Sequence, residues 1–202
     1  YDINSIESLT FREGVRKRIQ MYLGSDDIEG TYQALKEIIN NSTDEALAGY
    51  GDKIEITVNM NDNSITVRDY GRGVPFGVRE NGENVLVSIY TKSHTGGKFD
   101  SGAYKNSSGL NGIGGSCVCL SSESFRVVSY RDKKCAKAMF HKGELVQYQE
   151  GPALKEPNGT EVYFIPDPEV FSNGEIGFSY ERICQDVKDI AYLYNGITFV
   201  VR

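Results

Sequence analysis

The segment from about Thr31 to Ala48 constrains the fold more than any other part of the chain. At 100° per residue, its apolar and small side chains fall on one arc of a helix, and the pattern stops at Gly49, a residue that tolerates positive φ. A helix with such a stripe must bury it against another layer of structure. The residues on that arc are Leu35, Ile38, Ile39, Ser42 and Ala46.

Alternating apolar residues elsewhere in the chain predict the layer that this helix needs. Residues 54–60 and 65–69 alternate in polarity on either side of the turn 61–64, which predicts a β-hairpin. Further strands are expected around 125–130, 136–141, 145–149, 161–165 and 197–201. Further helices are expected from the capping box of Thr10 and Glu13 to Arg18, after Asn84 over 85–93, from Gly112, and over 183–194 before Gly196. The sequence therefore predicts an α+β fold, with one mixed, mostly antiparallel sheet and helices on one face.

Composition limits the classes of protein that this chain can represent. Its 202 residues suffice for one sizeable core, so a single domain over 1–202 is expected, and no apolar run is long enough to cross a bilayer. These residues contain no secretory signal, which favours a cytoplasmic protein. Acidic side chains number 28 against 22 basic ones, which opposes strong non-specific binding to DNA. The four cysteines lack zinc-site spacing and are interpreted as reduced core thiols, with a metal site or a disulfide as the alternative: Cys117, Cys119, Cys135 and Cys184.

A second arc of the predicted helix, next to the apolar one, carries polar side chains. It contains Glu37, Asn41, Asp44 and Glu45, separated only by alanines. A solvated helix face would have the same composition. The functional interpretation gains weight because two other segments provide groups that would complete a ligand site.

The first of these segments is the end of the predicted hairpin. Asp69 has the same parity as Ile65 and Val67, so its carboxylate is expected on the apolar side, where an unpaired charge is costly. The sequence Gly71-Arg72-Gly73-Val74-Pro75 follows, and its glycines would let the backbone approach a ligand closely. We interpret this as a site for an exocyclic amine such as that of adenine. The alternative is an aspartate that caps its own turn.

The second segment is rich in glycine. Residues 94–108 contain Gly, Ser, Lys and Tyr without periodicity, which is typical of a lid or a disordered loop, and Lys98 within them is placed to fold over a phosphate tail. The sequence Gly109-Leu110-Asn111-Gly112-Ile113-Gly114 follows and begins a helix, where backbone N–H groups favour phosphate oxygens. This pattern is neither a Rossmann fingerprint nor a P-loop, and by itself it is not specific.

Five short motifs stand in a fixed order along the chain. They are E-x-x-N-N-S-x-D-E-A-L-A-G at 37–49, R-D-Y-G-R-G-V-P at 68–75, T-G-G-K-F at 95–99, G-L-N-G-I-G at 109–114 and N-G-T at 158–160. In these motifs and their order the chain resembles the GHKL ATPases. Within that superfamily it is similar, over essentially its whole length, to the B subunits of bacterial type IIA topoisomerases, gyrase and topoisomerase IV. The resemblance implies the two-layer Bergerat sandwich.

The resemblance also implies ATP and Mg²⁺ as cofactors and assigns roles to individual residues. Glu37 would be the catalytic general base, and Asn41 would bind both ATP and the magnesium ion. Asp69 would accept from the adenine amino group, directly and through a water held with Thr160. The other implied ATP-binding residues are Tyr1, Glu45, Arg72, Gly73, Val74, Pro75, Ile89, Lys98, Tyr104, Gly109, Leu110, Asn111, Gly112, Ile113, Gly114 and Arg131.

Partners follow from the same resemblance. Residues 1–9, with Tyr1 and Ile6, match an arm that reaches into a second copy of the same subunit when ATP closes the homodimer, and residues 94–108 match the ATP lid. The full complex would include the A subunit and DNA, which this domain would contact weakly if at all, and no membrane. The family's phosphate-contacting lysine of the following domain is missing from a chain that stops at Arg202, so this fragment is expected to hydrolyse ATP slowly.

Two departures from the family pattern bear on turnover. Gln33 stands one helical turn before Glu37, where bacterial members often have a histidine, and Asn111 replaces another histidine in the phosphate loop. A neutral amide can orient a carboxylate but cannot share its proton, so slower turnover is expected. Three alternatives stay open: another GHKL ATPase, a nucleotide-gated dimerisation module with little hydrolysis, and an α+β domain with chance glycine motifs.

Overall fold

The structure is a computed structural model that describes residues 9–93 and 112–202. In these two ranges the chain forms six helices and seven strands. The helices are α1 (Phe11–Lys17), α2 (Gln20–Leu23), α3 (Ile28–Leu47), α4 (Val85–Thr91), α5 (Gly114–Leu120) and α6 (Tyr180–Leu193). The strands are β1 (Lys53–Asn59), β2 (Ser64–Asp69), β3 (Ser122–Arg131), β4 (Lys134–His141), β5 (Glu144–Pro152), β6 (Gly159–Pro166) and β7 (Thr198–Val201). The lid predicted over 94–108 and all but the last residue of the predicted arm lie outside the described residues.

The strands form one mixed sheet in the order β5-β4-β3-β6-β2-β1-β7. All neighbours are antiparallel except β1 and β7, which run parallel. The predicted hairpin is confirmed as β1 and β2, with Ile56 opposite Val67. The pairing of β6 with both β2 and β3 joins strands that are far apart in sequence, and it places the end of β2 beside the start of β6.

One hydrophobic core lies between the sheet and the helices. Every second residue of the inner strands points into it, because successive side chains of a strand alternate between the two faces. The opposite face carries charged side chains such as Arg126, which pairs with Glu161 at 3.4 Å and lies 4.8 Å from the Tyr163 ring centre. The α+β prediction, with a mixed sheet covered by helices, is confirmed. The strand residues in the core are Ile54, Ile56, Ile65, Val67, Phe125, Val127, Ala136, Ala138, Phe140, Val162 and Phe164.

Two helix starts were predicted correctly from their capping residues. The capping box of Thr10 and Glu13 is present at α1, and the Asn84 side chain accepts from the Val87 amide at the start of α4. The long helix α3 begins earlier than predicted because the Asp27 carboxylate caps it by accepting from the Glu29 amide. The short α2 was not predicted.

The structure also limits two sequence-based expectations. On α6 only Ile183 and Val187 of the expected apolar face are buried, since its last turns lie at the rim of the core. Cys117 and Cys119 are core residues as expected, whereas Cys135 and Cys184 are only partly buried. No disulfide joins these four cysteines. Among the described helices, none combines the length and the apolar character that a membrane span requires.

Candidate functional site

A cleft of about 370 Å³ lies between α3, α4, the start of α5 and the loop that follows β2. It is lined by both polar and apolar side chains, which is typical of a site for a small ligand. A shallower depression of about 410 Å³ adjoins it and shares Pro75 and Arg131 with it. The residues that line the cleft are Asn41, Asp44, Glu45, Arg72, Gly73, Val74, Pro75, Ile89, Tyr90, Gly112, Gly115, Ser116, Arg131 and Thr160.

The Asp69 carboxylate is buried at the end of β2, with only 6% of the residue exposed. Its Oδ1 accepts from the backbone amides of Gly71 at 3.0 Å and Thr160 at 3.1 Å, while Oδ2 accepts from Ser42 Oγ at 3.3 Å. Burial raises the pKa of Asp69, and the two amide hydrogen bonds oppose that rise. Because a carboxylate oxygen can accept two hydrogen bonds, Oδ2 keeps capacity for one more donor. The expected placement of Asp69 on the apolar side is confirmed.

The loop after β2 forms one wall of the cleft and is held at Gly73. This residue has φ +80°, and a Cβ there would lie 2.4 Å from the Tyr130 carbonyl oxygen, so only glycine fits without strain. Arg131 donates to the Gly73 carbonyl at 3.2 Å. The close approach predicted for this glycine is therefore made to the neighbouring strand β3, and it fixes the wall against the sheet.

Val74 is held by hydrogen bonds on both sides of its peptide unit. Its amide donates to Thr160 Oγ1 at 3.2 Å, and its carbonyl accepts from Ser129 Oγ at 2.6 Å. The backbone of Val74 is therefore fixed, and its apolar side chain lines the same cleft as Ile89 on α4. Such an apolar surface next to a buried carboxylate suits a flat ring that carries one donor.

Glu45 and Arg72 join the α3 helix to the loop at the opening of the cleft. Arg72 donates from Nε to Oε2 at 3.1 Å and from its terminal nitrogen to Oε1 at 2.7 Å, a two-pronged pair. The Arg72 backbone amide also donates to Oε2 at 3.3 Å. The guanidinium lies 4.0 Å from the centre of the Tyr50 ring. Both charges are partly exposed, so the pair positions the loop more than it stabilises the fold.

Glu37 lies about two turns before Glu45 on α3, next to the start of α5, and is 9% exposed. Its Oε1 accepts from the Gln33 side-chain amide at 3.0 Å. A Cβ on Gly114 would lie 2.0 Å from Glu37 Oε2, so the glycine at the start of α5 makes room for the carboxylate. The Asn41 amide approaches the next glycine, Gly115, where a Cβ would be 3.4 Å from Nδ2. The start of α5 thus faces the polar arc of α3.

The geometry brings together most of the residues that the sequence singled out. Glu37 and Asp69 are not among the lining residues themselves, but Glu37 lies against Gly114 at the start of α5 and Asp69 accepts from the amide of the lining residue Thr160. Burial and the nearby Glu37 charge raise the pKa of Cys117 to about 12, so this thiol is not a nucleophile near neutral pH. The predicted residues that line the cleft are Asn41, Glu45, Arg72, Gly73, Val74, Pro75, Ile89, Gly112, Arg131 and Thr160. Those outside the described residues are Tyr1, Lys98, Tyr104, Gly109, Leu110 and Asn111.

Sequence reasoning gave no role to four lining residues, Asp44, Tyr90, Gly115 and Ser116. Asp44 stood on the polar arc of α3, and Gly115 and Ser116 directly follow the glycine motif, so their positions were a usable signal. Tyr90 offered no signal in the sequence, because an aromatic residue on a helix is usually part of the core. Burial raises the pKa of Tyr90 well above the usual tyrosine range. In residues 9–93 and 112–202, no three His, Cys, Asp or Glu side chains cluster as a metal site.

The fold and the cleft correspond to a known class of ATPase. The model of the family described as histidine kinase-, DNA gyrase B- and HSP90-like ATPases matches residues 26–169 of the chain. That range includes α3, the loop after β2, α5 and Thr160, which are the parts that form the cleft. The chain belongs to this ATPase family.

Individual relatives narrow the comparison. The DNA gyrase B protein of Thermus thermophilus is 41% identical over 203 residues, which cover 99% of this chain and 32% of that protein. The DNA topoisomerase 4 B protein of Mycoplasma capricolum is 40% identical over 206 residues, which cover 98% of this chain and 30% of that protein. The crystal structure of the 43K ATPase domain of T. thermophilus gyrase B in complex with an aminocoumarin matches with a TM-score of 0.79 and 35% identity, over 95% of this chain and 48% of that one. The chain spans about a third of the length of its curated relatives.

Proposed function

We propose that this chain binds ATP in the cleft and hydrolyses it with magnesium. The observation that carries the proposal is the buried Asp69 carboxylate, which is already oriented by two backbone amides and can accept one more donor. Glu37, on the helix that contributes Asn41 and Glu45 to the cleft, faces the start of α5. A site with a base-recognition group at one end and a carboxylate beside amide donors at the other suits a nucleoside triphosphate.

Asp69 and its neighbours form the adenine end of the proposed site. The 6-amino group of adenine would donate to Asp69, directly and through a water held with Thr160. Val74, Pro75 and Ile89 offer the apolar surfaces that the ring requires. Arg131 flanks the outer opening, and the Glu45–Arg72 pair keeps the loop in place beside the ligand.

Glu37 and the start of α5 form the phosphate end of the proposed site. Glu37 would act as the general base that takes a proton from the attacking water, oriented by Gln33. The amides of Gly112, Ile113 and Gly114 would donate to phosphate oxygens, as at other helix starts. We assign Tyr1, Lys98, Tyr104, Gly109, Leu110 and Asn111 to the same ligand on the strength of the sequence motifs alone.

Magnesium fits the chemistry of this end of the cleft. Asn41 offers an amide group that approaches the start of α5, and Mg²⁺ is commonly held by one or two protein oxygens together with substrate phosphates and water. Asn41 would therefore hold the ion against the phosphates. When bound, the ion would neutralise charge that develops on the phosphate oxygens.

We propose that the complete protein is the ATP-binding B-type component of a type IIA DNA topoisomerase, gyrase or topoisomerase IV. Its relatives carry those names and are about three times as long as this chain. ATP binding would then close a homodimer through the arm over 1–9 and the lid over 94–108, with the A subunit and DNA engaged by the larger, cytoplasmic complex. This domain, with a net charge of −6, would contribute little to DNA binding.

Calorimetric titration with ATP and magnesium tests the central claim. We expect ATP to bind the wild-type fragment and Asp69→Ala to bind it at least about tenfold more weakly. Equal binding by wild type and variant would show that Asp69 does not recognise the base. Glu37→Ala should bind ATP normally and release no phosphate.

A second candidate function is a nucleotide-gated dimerisation module with little hydrolysis. The observation that favours it is the Gln33 amide beside Glu37, since an amide cannot take up a proton at neutral pH. Measuring phosphate release together with nucleotide-dependent dimerisation in a longer chain separates the two. Dimerisation without release would support the module, and release that Glu37→Ala abolishes would support the ATPase.

A further inference from the structure

Arg68 is a cation buried behind the proposed adenine site. It precedes Asp69 on β2, so the two side chains point to opposite faces of the sheet, Asp69 inward and Arg68 outward. Arg68 is nevertheless only 9% exposed. Its guanidinium lies between two aromatic rings, 4.8 Å from the centre of Tyr70 and 4.7 Å from that of Tyr130. This stacking holds the guanidinium in one position.

The guanidinium connects two backbone segments. One terminal nitrogen donates to the Asp69 carbonyl, and the other donates to the Pro157 carbonyl at 2.9 Å. Gly159 makes this possible, because a Cβ there would lie 2.3 Å from the Arg68 nitrogen and 2.1 Å from the Asp69 carbonyl oxygen. The glycine of the N-G-T motif therefore has a local reason to be glycine: it leaves room for Arg68.

The same two segments hold the Asp69 carboxylate on the other face of the sheet. Oδ1 accepts from Gly71, two residues after Asp69, and from Thr160, three residues after Pro157. Arg68 therefore joins from behind the two pieces of backbone whose amides orient the carboxylate in front. Loss of this connection would let the Gly71 and Thr160 amides move relative to each other.

The positive charge of Arg68 also favours the ionised form of the Asp69 carboxylate. Burial raises the pKa of Asp69, and this rise is opposed by the amides of Gly71 and Thr160 and then by the positive charge of Arg68. A base-recognising carboxylate must accept a hydrogen bond, and it accepts best when it is ionised.

We propose that Arg68 is a positioning residue for Asp69, and that it sets how strongly the site selects a purine with a 6-amino group over one without it. The inference rests on the proposed ATP function. It assigns to Arg68, which is not among the residues that line the cleft, a role in specificity rather than in stability alone.

Two ligands separate recognition from stability. ATP carries the 6-amino group, and purine riboside 5′-triphosphate lacks it but is otherwise the same. The ratio of their dissociation constants reports only on contacts to that group. The variants are Arg68→Met, which removes the donors and the charge, and Arg68→Lys, which keeps the charge but cannot bridge two carbonyls in the same way. Arg126→Met is the matched control, since Arg126 lies on the same face of the sheet, stacks on Tyr163 and pairs with Glu161.

We expect wild type and Arg126→Met to prefer ATP by the same factor. Arg68→Met should reduce that preference by about tenfold, and Arg68→Lys by less. Weaker binding of both ligands by Arg68→Met with an unchanged ratio would overturn the inference and leave the ATP site standing. Should Arg68→Met fail to fold, an Arg68→Lys ratio equal to that of wild type would overturn it too. A wild-type protein that binds both ligands equally would overturn the adenine site itself.

Discussion

Gln33 stands one turn before Glu37 on α3, and its side-chain amide donates to Glu37 Oε1 at 3.0 Å. The bond orients the carboxylate proposed to activate water, but an amide cannot take up the proton that this step releases. We therefore expect Gln33→His to raise the rate of phosphate release severalfold at neutral pH while ATP affinity stays the same. Gln33→Ala, which removes the orienting donor, should lower the rate. Steady-state phosphate release checks both, and an unchanged rate in both variants would show that Gln33 has no part in turnover.

Glu37→Gln tests the general base with a side chain of the same shape. Hydrolysis should fall by about 10²–10⁴-fold, because the amide cannot accept a proton, whereas the dissociation constant for ATP should change little. Single-turnover measurements with saturating ATP and magnesium give the rate of the chemical step. Loss of binding instead of loss of rate would place Glu37 in substrate binding.

Gly114→Ala tests the contact between α5 and the proposed base. The added Cβ would lie 2.0 Å from Glu37 Oε2, so either the carboxylate or the start of α5 must shift. We expect hydrolysis to be lost to about the extent seen in Glu37→Gln, because a displaced base cannot reach its water. Gly177→Ala is the control, since a Cβ there has no neighbour within 4 Å. Normal turnover by Gly114→Ala would contradict the proposed position of Glu37.

Asp69→Asn should weaken ATP binding and stabilise the fold at the same time. Asparagine can accept from the same two amides, but its NH₂ group cannot accept the adenine amine, so affinity should fall by about 10- to 100-fold. Because burial raises the pKa of Asp69, the wild-type fold loses stability as pH rises from the ordinary value of about 3.9 through the raised one. At neutral pH the variant should therefore melt higher than wild type.

The pH dependence of the difference in melting temperature between wild type and Asp69→Asn tests the cause of that difference. As pH falls through the raised pKa, wild-type Asp69 takes up a proton and the cost of burying its charge disappears. The difference in melting temperature should then shrink, while other titrating groups cancel between the two proteins. A difference that is constant from pH 4 to pH 8 would contradict the raised pKa.

Gly73→Ala tests whether the loop after β2 is packed rigidly against β3. Gly24→Ala is the control, because Gly24 has nearly the same φ angle as Gly73. Gly24 has φ +81° and no atom within 4 Å of an added Cβ, whereas Gly73 has φ +80° and meets the Tyr130 carbonyl oxygen at 2.4 Å. Gly24→Ala should cost about 1 kcal/mol, from backbone strain alone. Gly73→Ala should cost at least about 2 kcal/mol and also weaken ATP binding. Denaturant unfolding and calorimetry measure the two effects, and equal costs would show that the loop relaxes away from β3.

Local chemistry explains which parts of the fold could be predicted from the sequence. The hairpin β1–β2 and the caps at Thr10 and Asn84 depend on neighbouring residues, and they were predicted correctly. The Asp27 cap at α3 is equally local, but the sequence prediction placed the start of this helix at about Thr31. The strand order could not be predicted, because the pairing of β6 between β2 and β3 joins residues about 30 to 100 positions apart.

In the candidate site too, local features could be predicted from the sequence and long-range contacts could not. Asp69 and Glu37 could be found from strand parity, helical spacing and family motifs, which all act within a segment. Arg68 could not be found in this way, because an arginine on the outer face of a strand normally reaches solvent. Its importance depends on Gly159 and Pro157, about 90 positions away, which come into contact with it only in the folded chain.

Gln33, Glu37, Asn41 and Glu45 stand four positions apart on α3, and the last two line the cleft. A helix rises about 1.5 Å per residue, so these twelve steps extend over about 18 Å of one stiff rod. Helix geometry therefore fixes the spacing of these four side chains along the helix axis, whatever the conformation of the loops. A molecule too short to reach both ends could fill the cleft and still leave the group that starts hydrolysis untouched.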